Sequence, residues 1–322
     1  MKKVLAMLLS LVMLASFAAC GAKTDSGKDA DKTYNVGVVQ LVQHEALDQA
    51  TKGFEDALKA ALGDKVTVEV KNASNDSNAC STIVNGFVSS GVDLIMANAT
   101  PALQAAAQAT TTIPILGTSV TEYGVALDIK DFNGTVGGNI SGTSDLAPLD
   151  KQVEMILELF PDAKNVGLVY CSAEPNSMYQ IDVVEKALKD KGVNSTRFPF
   201  SDSNDIAAVA TSAAASSDVI YIPTDNTAAS STGVIDGICR PKKIPVIAGE
   251  EGICGGCGVA TLSISYYEIG KKTGEMAAKI LTGEADISTM PIAYDENYQK
   301  KYNPEICKEL GITPPSDYIA IG

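Results

Sequence analysis

From residue 34 onward the chain switches between two patterns: short apolar runs, and longer stretches with an apolar residue every three or four positions. Residues 34–42 read as a buried strand. Residues 45–62 then carry Leu47, Ala50, Phe54, Leu58 and Ala61 on one helical face, with Gly63 just past the end. A second strand is expected at 66–70. Asn75-Asp76-Ser77 predicts a cap for a helix bearing Ile83, Val84 and Phe87 and ended by Gly91. A third strand follows at 92–97, and Thr100-Pro101 opens an alanine-rich helix with proline in its first turn. Residues 113–116 predict a fourth strand that runs into a polar loop, Gly117-Thr118-Ser119. Strands alternating with helices of this length predict parallel βαβ units, because parallel neighbours need a crossover long enough to hold a helix.

The same order then recurs. After a helix at 149–160, Asn165-Val166-Gly167-Leu168-Val169 restates Asn35-Val36-Gly37-Val38-Val39. A helix at about 176–191 and a strand near 195–198 follow, and Asp202 is expected to cap the next helix. Asp218-Val219-Ile220-Tyr221 stands where Asp93-Leu94-Ile95-Met96 stood, and Ile244-Pro245-Val246-Ile247 restates Ile113-Pro114-Ile115-Leu116. Val36 and Ile113 are 77 residues apart, Val166 and Ile244 78. Three echoes in order at matched spacing predict two similar α/β lobes. A further helix is expected at 266–281, and a short one at 304–310. The fold class is therefore α/β: two Rossmann-like lobes, parallel sheets flanked by helices, with a hinged cleft between their carboxyl edges.

Composition narrows what such a molecule could do. Lysine and arginine number 25 against 39 acidic residues, a formal charge of −14, which argues against a nucleic-acid partner. The single histidine, His44, weakens any triad or histidine-metal centre, so no metal, cofactor or enzymatic chemistry is expected. At the N-terminus, Lys2 and Lys3 precede an apolar run from Val4 to Ala19, the pattern of a secretory signal peptide over 1–19. Phe17-Ala18-Ala19-Cys20 resembles a bacterial lipoprotein cleavage site with Cys20 as the lipidated residue. Residues 20–33 are Gly-, Ser-, Asp- and Lys-rich and read as a flexible tether. The expectation is an exported protein held at a membrane by its lipid alone.

Ligands of open parallel sheets sit just beyond the carboxyl ends of the strands. In the first lobe those positions hold Gln40, Gln43 and His44, then Asn98 and Thr100, then Thr118 and Ser119, none of them acidic. In the second they hold Ser172, Glu174, Asn176 and Ser177, then Thr224, Asp225 and Asn226 after the strand 219–222, then Glu250 and Glu251. Hydroxyls and helix N-terminal amides on one wall suit a carboxylate, and acids on the other suit an ammonium. The pairing describes a receptor for an amino acid, with Asp225 as the ammonium partner and Thr100 opposite it. Each of these residues also has an ordinary use as a cap or turn. His44 could stack on a flat ligand or simply begin a helix.

Six cysteines follow Cys20, at 80, 171, 239, 254, 257 and 307. Cys254-Gly255-Gly256-Cys257 has redox spacing but is expected in a glycine-rich loop rather than at the helix start that lowers a thiol pKa.

As a set, Ala99-Thr100-Pro101-Ala102, Gly142-Thr143-Ser144-Asp145, Pro223-Thr224-Asp225-Asn226, Ile244-Pro245-Val246-Ile247-Ala248-Gly249-Glu250, and Ala260-Thr261-Leu262 leading to Tyr266-Tyr267-Glu268-Ile269-Gly270 resemble the substrate-binding lipoproteins of ABC importers for aromatic amino acids. The resemblance spans residues 34 to about 281. It implies a type I periplasmic-binding-protein fold, crossings between lobes near 143–147, 262–266 and 285–291, and Ser172, Asn176 and Ser177 around the ligand's polar end beside Asp225. It also implies a permease partner and a monomer. The lobes would comprise 34–145 plus 264–287, and 146–263 plus 288–322. The sequence departs from the family pattern at Pro175 and at Cys254 to Cys257. Two other readings follow from the residues: an extracytoplasmic thiol oxidoreductase using Cys254 and Cys257, and a sensor's ligand-binding domain.

Overall fold

The computed structural model describes residues 32–322. The residues expected to form a signal peptide, Cys20 and most of the expected tether lie outside the described residues.

The first sheet is built from β1 (Tyr34–Gln40), β2 (Val66–Asn72), β3 (Leu94–Asn98), β4 (Ile115–Val120) and β5 (Ile140–Ser144), with helices α1 (Glu45–Leu62), α2 (Ser77–Ser90), α3 (Thr100–Ala109) and the single turn α4 (Tyr123–Ala126) between them. The second lobe follows with α5 (Leu149–Leu159), β6 (Asn165–Cys171), α6 (Pro175–Asp190), β7 (Asn194–Phe200), α7 (Ile206–Ser216), β8 (Val219–Ile222), α8 (Asn226–Ala229), α9 (Thr232–Cys239), β9 (Val246–Ala248), α10 (Glu251–Cys257) and β10 (Ala260–Ser263). Then come α11 (Tyr266–Leu281), β11 (Ala293–Tyr294), β12 (Gln299–Tyr302), α12 (Pro304–Leu310) and β13 (Ile319–Ala320). Strand order is β11-β5-β4-β3-β1-β2 in one sheet and β13-β12-β10-β9-β8-β6-β7 in the other. Every pair is parallel except β10 with β12. Central strands such as β3 and β8 are buried along their whole length, which is why they read as unbroken apolar runs. The edge strands β2 and β7 are half exposed and correspondingly polar.

The helix α11 returns to the first lobe, where it packs along α1. Backbone-to-backbone contact makes this possible: a Cβ on Gly270 would lie 2.0 Å from the Ala50 carbonyl oxygen, and one on Gly53 would lie 2.1 Å from that of Tyr267. Any side chain at either position would push the two helices apart.

The chain crosses between lobes at 145–148, between the last strand of the first sheet and α5, and again at 264–265, between β10 and α11. The third crossing corrects the expectation. β11 pairs in parallel with β5, Ala293 opposite Thr143, so the first sheet extends to Tyr294 and the crossing falls at 295–298 rather than 285–291. Residues 288–294 thus lie with the first sheet and its helices, not the second lobe; a strand of two residues has no periodicity to betray it. Gly117, Thr118 and Ser119 were expected as a loop but belong to β4. The polarity of Thr118 is absorbed by a buried hydroxyl relay, Thr118 Oγ1 to Thr143 Oγ1 at 3.1 Å and Thr143 to Thr273 Oγ1 at 2.8 Å. Asp205, not Asp202, precedes α7; Asp202 closes a turn by accepting from the Asn204 amide. Among the described residues, no helix is long and apolar enough to cross a membrane.

Candidate functional site

The carboxyl edges of the two sheets meet across a cleft in which the lobes touch. α4 of the first lobe packs on α6 of the second, and α1 on α10. Two hydrogen bonds cross directly: His44 Nε2 to Asn226 Oδ1 at 3.4 Å, and Asn75 Nδ2 to Thr227 Oγ1 at 3.0 Å. Between the walls lies a small cavity, about 10 Å³, lined by His44, Leu47 and Ser119 from the first lobe, by Asn176, Thr224, Asp225, Asn226, Ala229 and Glu250 from the second, and by Asp145 and Tyr266 from the crossings. A roomier groove outside the hinge, lined by Lys271, Lys272 and Lys301, contains none of the unpaired atoms described next.

Buried polar atoms are nearly always hydrogen-bonded, so the exceptions are informative. Among the described residues seven buried side-chain polar atoms lack a partner, and four of them, His44 Nδ1, Ser119 Oγ, Asp145 Oδ1 and Asn176 Oδ1, belong to residues lining this one cavity. Ser119 also holds a left-handed backbone, φ 53°, a conformation rare outside glycine and concentrated at functional positions. The histidine's polarity can be derived. Asn226 Nδ2 donates to Glu174 at 2.7 Å, which turns Asn226 Oδ1 toward His44, so Nε2 must carry the proton. Burial lowers the His44 pKa and keeps the ring neutral. Nδ1 is therefore a lone pair. With the Asp145 and Asn176 oxygens, it makes the cavity rich in acceptors.

Three buried carboxyls line the space and differ in what they are given. Asp225 caps α8 by accepting from the Ala228 amide (2.8 Å) and also accepts from the Cys171 amide (2.6 Å), so each oxygen is engaged. Glu250 caps α10 through the Gly252 and Ile253 amides at 2.6 and 2.5 Å. Asp145 accepts at Oδ2 from the Tyr266 hydroxyl (2.9 Å), leaving Oδ1 without a partner. Burial raises all three pKa values, to about 6 for Asp145 and about 7 for Glu250; at Asp225 the neighbouring Glu174 adds to the upward push. Sequence reasoning missed Asp145 as a site residue because it lies on a crossing rather than at a strand-end loop. The only signal for it was its place in the Gly142-Thr143-Ser144-Asp145 motif.

Of the thirteen residues expected at the site, the structure brings His44, Ser119, Asn176, Thr224, Asp225, Asn226 and Glu250 together around the cavity. Ser177 is buried just behind, contacting Asp225 and Asn176. Gln40 and Asn98 do not line the space but hold α1 in place, both through Thr51 Oγ1. Thr118 is spent on the hydroxyl relay. Thr100, expected opposite Asp225, is buried in the first turn of α3 and does not line the cavity. Ser172 is exposed and donates its hydroxyl to the Phe200 carbonyl.

Cys254 and Cys257 are not in a loop. They are the fourth and seventh residues of α10, where the Glu250 side chain holds the Gly252 and Ile253 amides and so begins a helical turn despite the glycines. All six described cysteines are unpaired and buried, and burial drives the Cys254 and Cys257 thiols well above their ordinary pKa. A thiol held protonated is a poor nucleophile, so the geometry lends nothing to an oxidoreductase. Among the described residues no group of three or more His, Cys, Asp or Glu could hold a metal ion.

Comparison with known proteins gives these features a setting. The family model described as ABC transporter substrate binding protein matches residues 35–320. A curated tyrosine-binding protein of Clostridioides difficile (strain R20291) is 34% identical over 320 residues, 96% of this chain and 92% of that one. Among solved structures, an ABC domain in complex with L-Trp from Streptococcus pneumonia shares 31% identity over 88% of this chain and 97% of its own, with a TM-score of 0.84. The ligand-free, open structure of a substrate binding protein with adhesive properties from Clostridium difficile is 36% identical over 90% and 99%, yet its TM-score is only 0.69. The more similar sequence is the less similar shape. That inversion, with the cross-cleft contacts above, identifies the present conformation as closed.

Proposed function

This chain belongs to the ABC transporter substrate binding protein family, and from that premise we propose that it closes around an amino acid with an aromatic side chain and delivers it to a membrane permease. The carrying observation is the convergence of four unpaired buried polar atoms on one inter-lobe cavity. Three are acceptors, His44 Nδ1, Asp145 Oδ1 and Asn176 Oδ1, and Ser119 Oγ can act either way. An ammonium group brings three donors and one charge, which matches three acceptors of which one is a carboxylate. In this reading Asp145, rather than Asp225, is the ammonium's charged partner, because Asp225 has given both oxygens to backbone amides. A cation beside Asp145 also lowers its raised pKa, so binding draws the carboxyl into its ionised form. The aromatic class rests on the relatives that bind tyrosine and L-Trp. Export, attachment through a lipid on Cys20, monomeric state and freedom from catalytic chemistry belong to the same proposal.

The test is mass spectrometry of the protein purified without refolding, followed by calorimetry with L-tyrosine, L-tryptophan, L-phenylalanine and non-aromatic amino acids. A carried-over aromatic amino acid, or tight binding confined to that group, supports the reading. Binding of none of the panel, or of a sugar or nucleoside instead, overturns it.

A further inference from the structure

Glu174 does not line the cavity, yet it is buried and its two oxygens accept five hydrogen bonds. Oε2 takes the Asn226 amide (3.0 Å), Asn226 Nδ2 (2.7 Å) and Asn176 Nδ2 (3.2 Å), while Oε1 takes the Thr227 amide (2.9 Å) and Thr227 Oγ1 (2.8 Å). The backbone amides would satisfy the start of α8 by themselves. The side-chain bonds do something else: they set polarity. With its Nδ2 bound to Glu174, Asn226 presents only Oδ1 across the cleft. With its hydroxyl proton bound to Glu174, Thr227 presents only a lone pair. Both are then acceptors, and the first lobe meets each with a donor, His44 Nε2 and Asn75 Nδ2. Asn75 is held ready for this. Ser74 and Asn75 both adopt left-handed backbones, φ 54° and 63°, fixed by Ser74 N to Asn72 Oδ1 (2.7 Å) and Asn75 N to the Leu41 carbonyl (2.8 Å).

We propose that Glu174 is a positioning residue for closure, orienting Asn226 and Thr227 as a two-point latch that holds His44 and Asn75 of the opposite lobe and so biases the lobes shut in addition to the ligand's own contacts. The inference concerns the closing equilibrium and stands whatever amino acid the cavity takes. A protein whose competent form is only partly populated binds with an affinity reduced by that fraction, so loosening the latch at Asn75 and Thr227, which do not line the cavity, weakens capture without altering a ligand contact.

The test uses exposed spin labels, one on each lobe at Ser90→Cys and Lys191→Cys, with inter-lobe distances read by pulsed EPR; the six native cysteines described here are buried. The ligand-free protein is expected to show a closed fraction that falls in Asn75→Gly, a substitution compatible with the positive φ, and in Thr227→Val. Thr227→Ser, which keeps the hydroxyl, is expected to restore it. For whichever of L-tyrosine and L-tryptophan binds the unsubstituted protein, Kd rises about fivefold in each single variant, the size of one net hydrogen bond. It rises no further in the double variant, since both remove the same bond. Glu174→Gln, which must turn a donor toward one of its present donors, is expected to lose both contacts; should it fail to fold, the Asn75 and Thr227 variants decide. An unsubstituted protein with no closed fraction, distances unchanged by the variants, or strictly additive losses in Kd would overturn the latch. Failure of both amino acids to bind would instead count against the ligand reading, leaving the distance measurement to judge this one.

Discussion

Asp225 and Asp145 invite comparison: two buried aspartates lining one cavity, one in the second lobe's wall and one on the crossing. Asp225 lies at the start of a helix, where backbone amides converge on it; Asp145 lies on the crossing just after β5, where the hydroxyls of Thr121 and Tyr266 support it and Oδ1 is left without a partner. The first carboxyl is consumed by the fold. The second retains binding capacity. Burial and residue type are the same, so only the local supply of donors tells a structural acid from a ligand-binding one.

The sharpest way to break this contrast is Asp225→Ala. It leaves the Cys171 and Ala228 amides without their carboxylate, and unsatisfied buried groups cost about 1–3 kcal/mol each. Stability to denaturant should fall by about 3 kcal/mol or more, with amino-acid binding at saturating ligand retained while the protein remains folded. Asp145→Asn should do the reverse. Loss of a charged hydrogen bond, about 1.5–3 kcal/mol, weakens binding by about ten- to a hundredfold in calorimetry while the melting temperature of ligand-free protein holds or rises. An Asp225→Ala protein of normal stability that cannot bind would return the ammonium to Asp225.

The pH dependence follows with a sign opposite to that of most carboxylates. Asp145 and Glu250 have native pKa values of about 6 and 7, above their ordinary values of 3.8 and 4.5. Between those limits the native state holds protons that the unfolded chain has released, so stability declines as pH rises through this window. Ligand-free protein should melt higher at pH 5 than at pH 8, and the increase in melting temperature on adding its amino acid should be larger at pH 8, where Asp145 is already ionised. Smaller still are two expected silences. Ser172→Ala should leave Kd unchanged in calorimetry, because its hydroxyl is directed at a carbonyl outside the cavity. The native protein should resist alkylation at Cys254 and Cys257 until it is unfolded, as mass spectrometry of labelled peptides would show.

Much of the scaffold was legible in the residues. The α1 helix was anticipated to its ends because Leu47, Phe54 and Leu58 mark its buried face and Gly63 closes it. The strand Val219–Ile222 and its polar successor were readable for the same reason: a wholly buried strand must be apolar, and the loop after it must supply caps. Where polar side chains satisfy one another the reading failed. Thr118 looked like part of a loop because its partner Thr143 lies 25 residues away, and the next member of the relay, Thr273, a further 130. Glycines disguised α10 in the same way, since helix propensity is weaker than the cap that Glu250 provides.

Local order in this protein, the two-fold repeat of strand and helix and the cleft it implies, was written in the chain itself, because periodicity and capping act over a few residues. Which polar atoms would be spent on the fold and which left free for a guest was decided only in three dimensions. Thr100 turned inward, Asp225 was claimed by two amides, and Asp145 was left half unpaired. Hydrogen-bond satisfaction is a property of neighbours in space, and those neighbours come from segments that the chain brings together only when both lobes have folded and met.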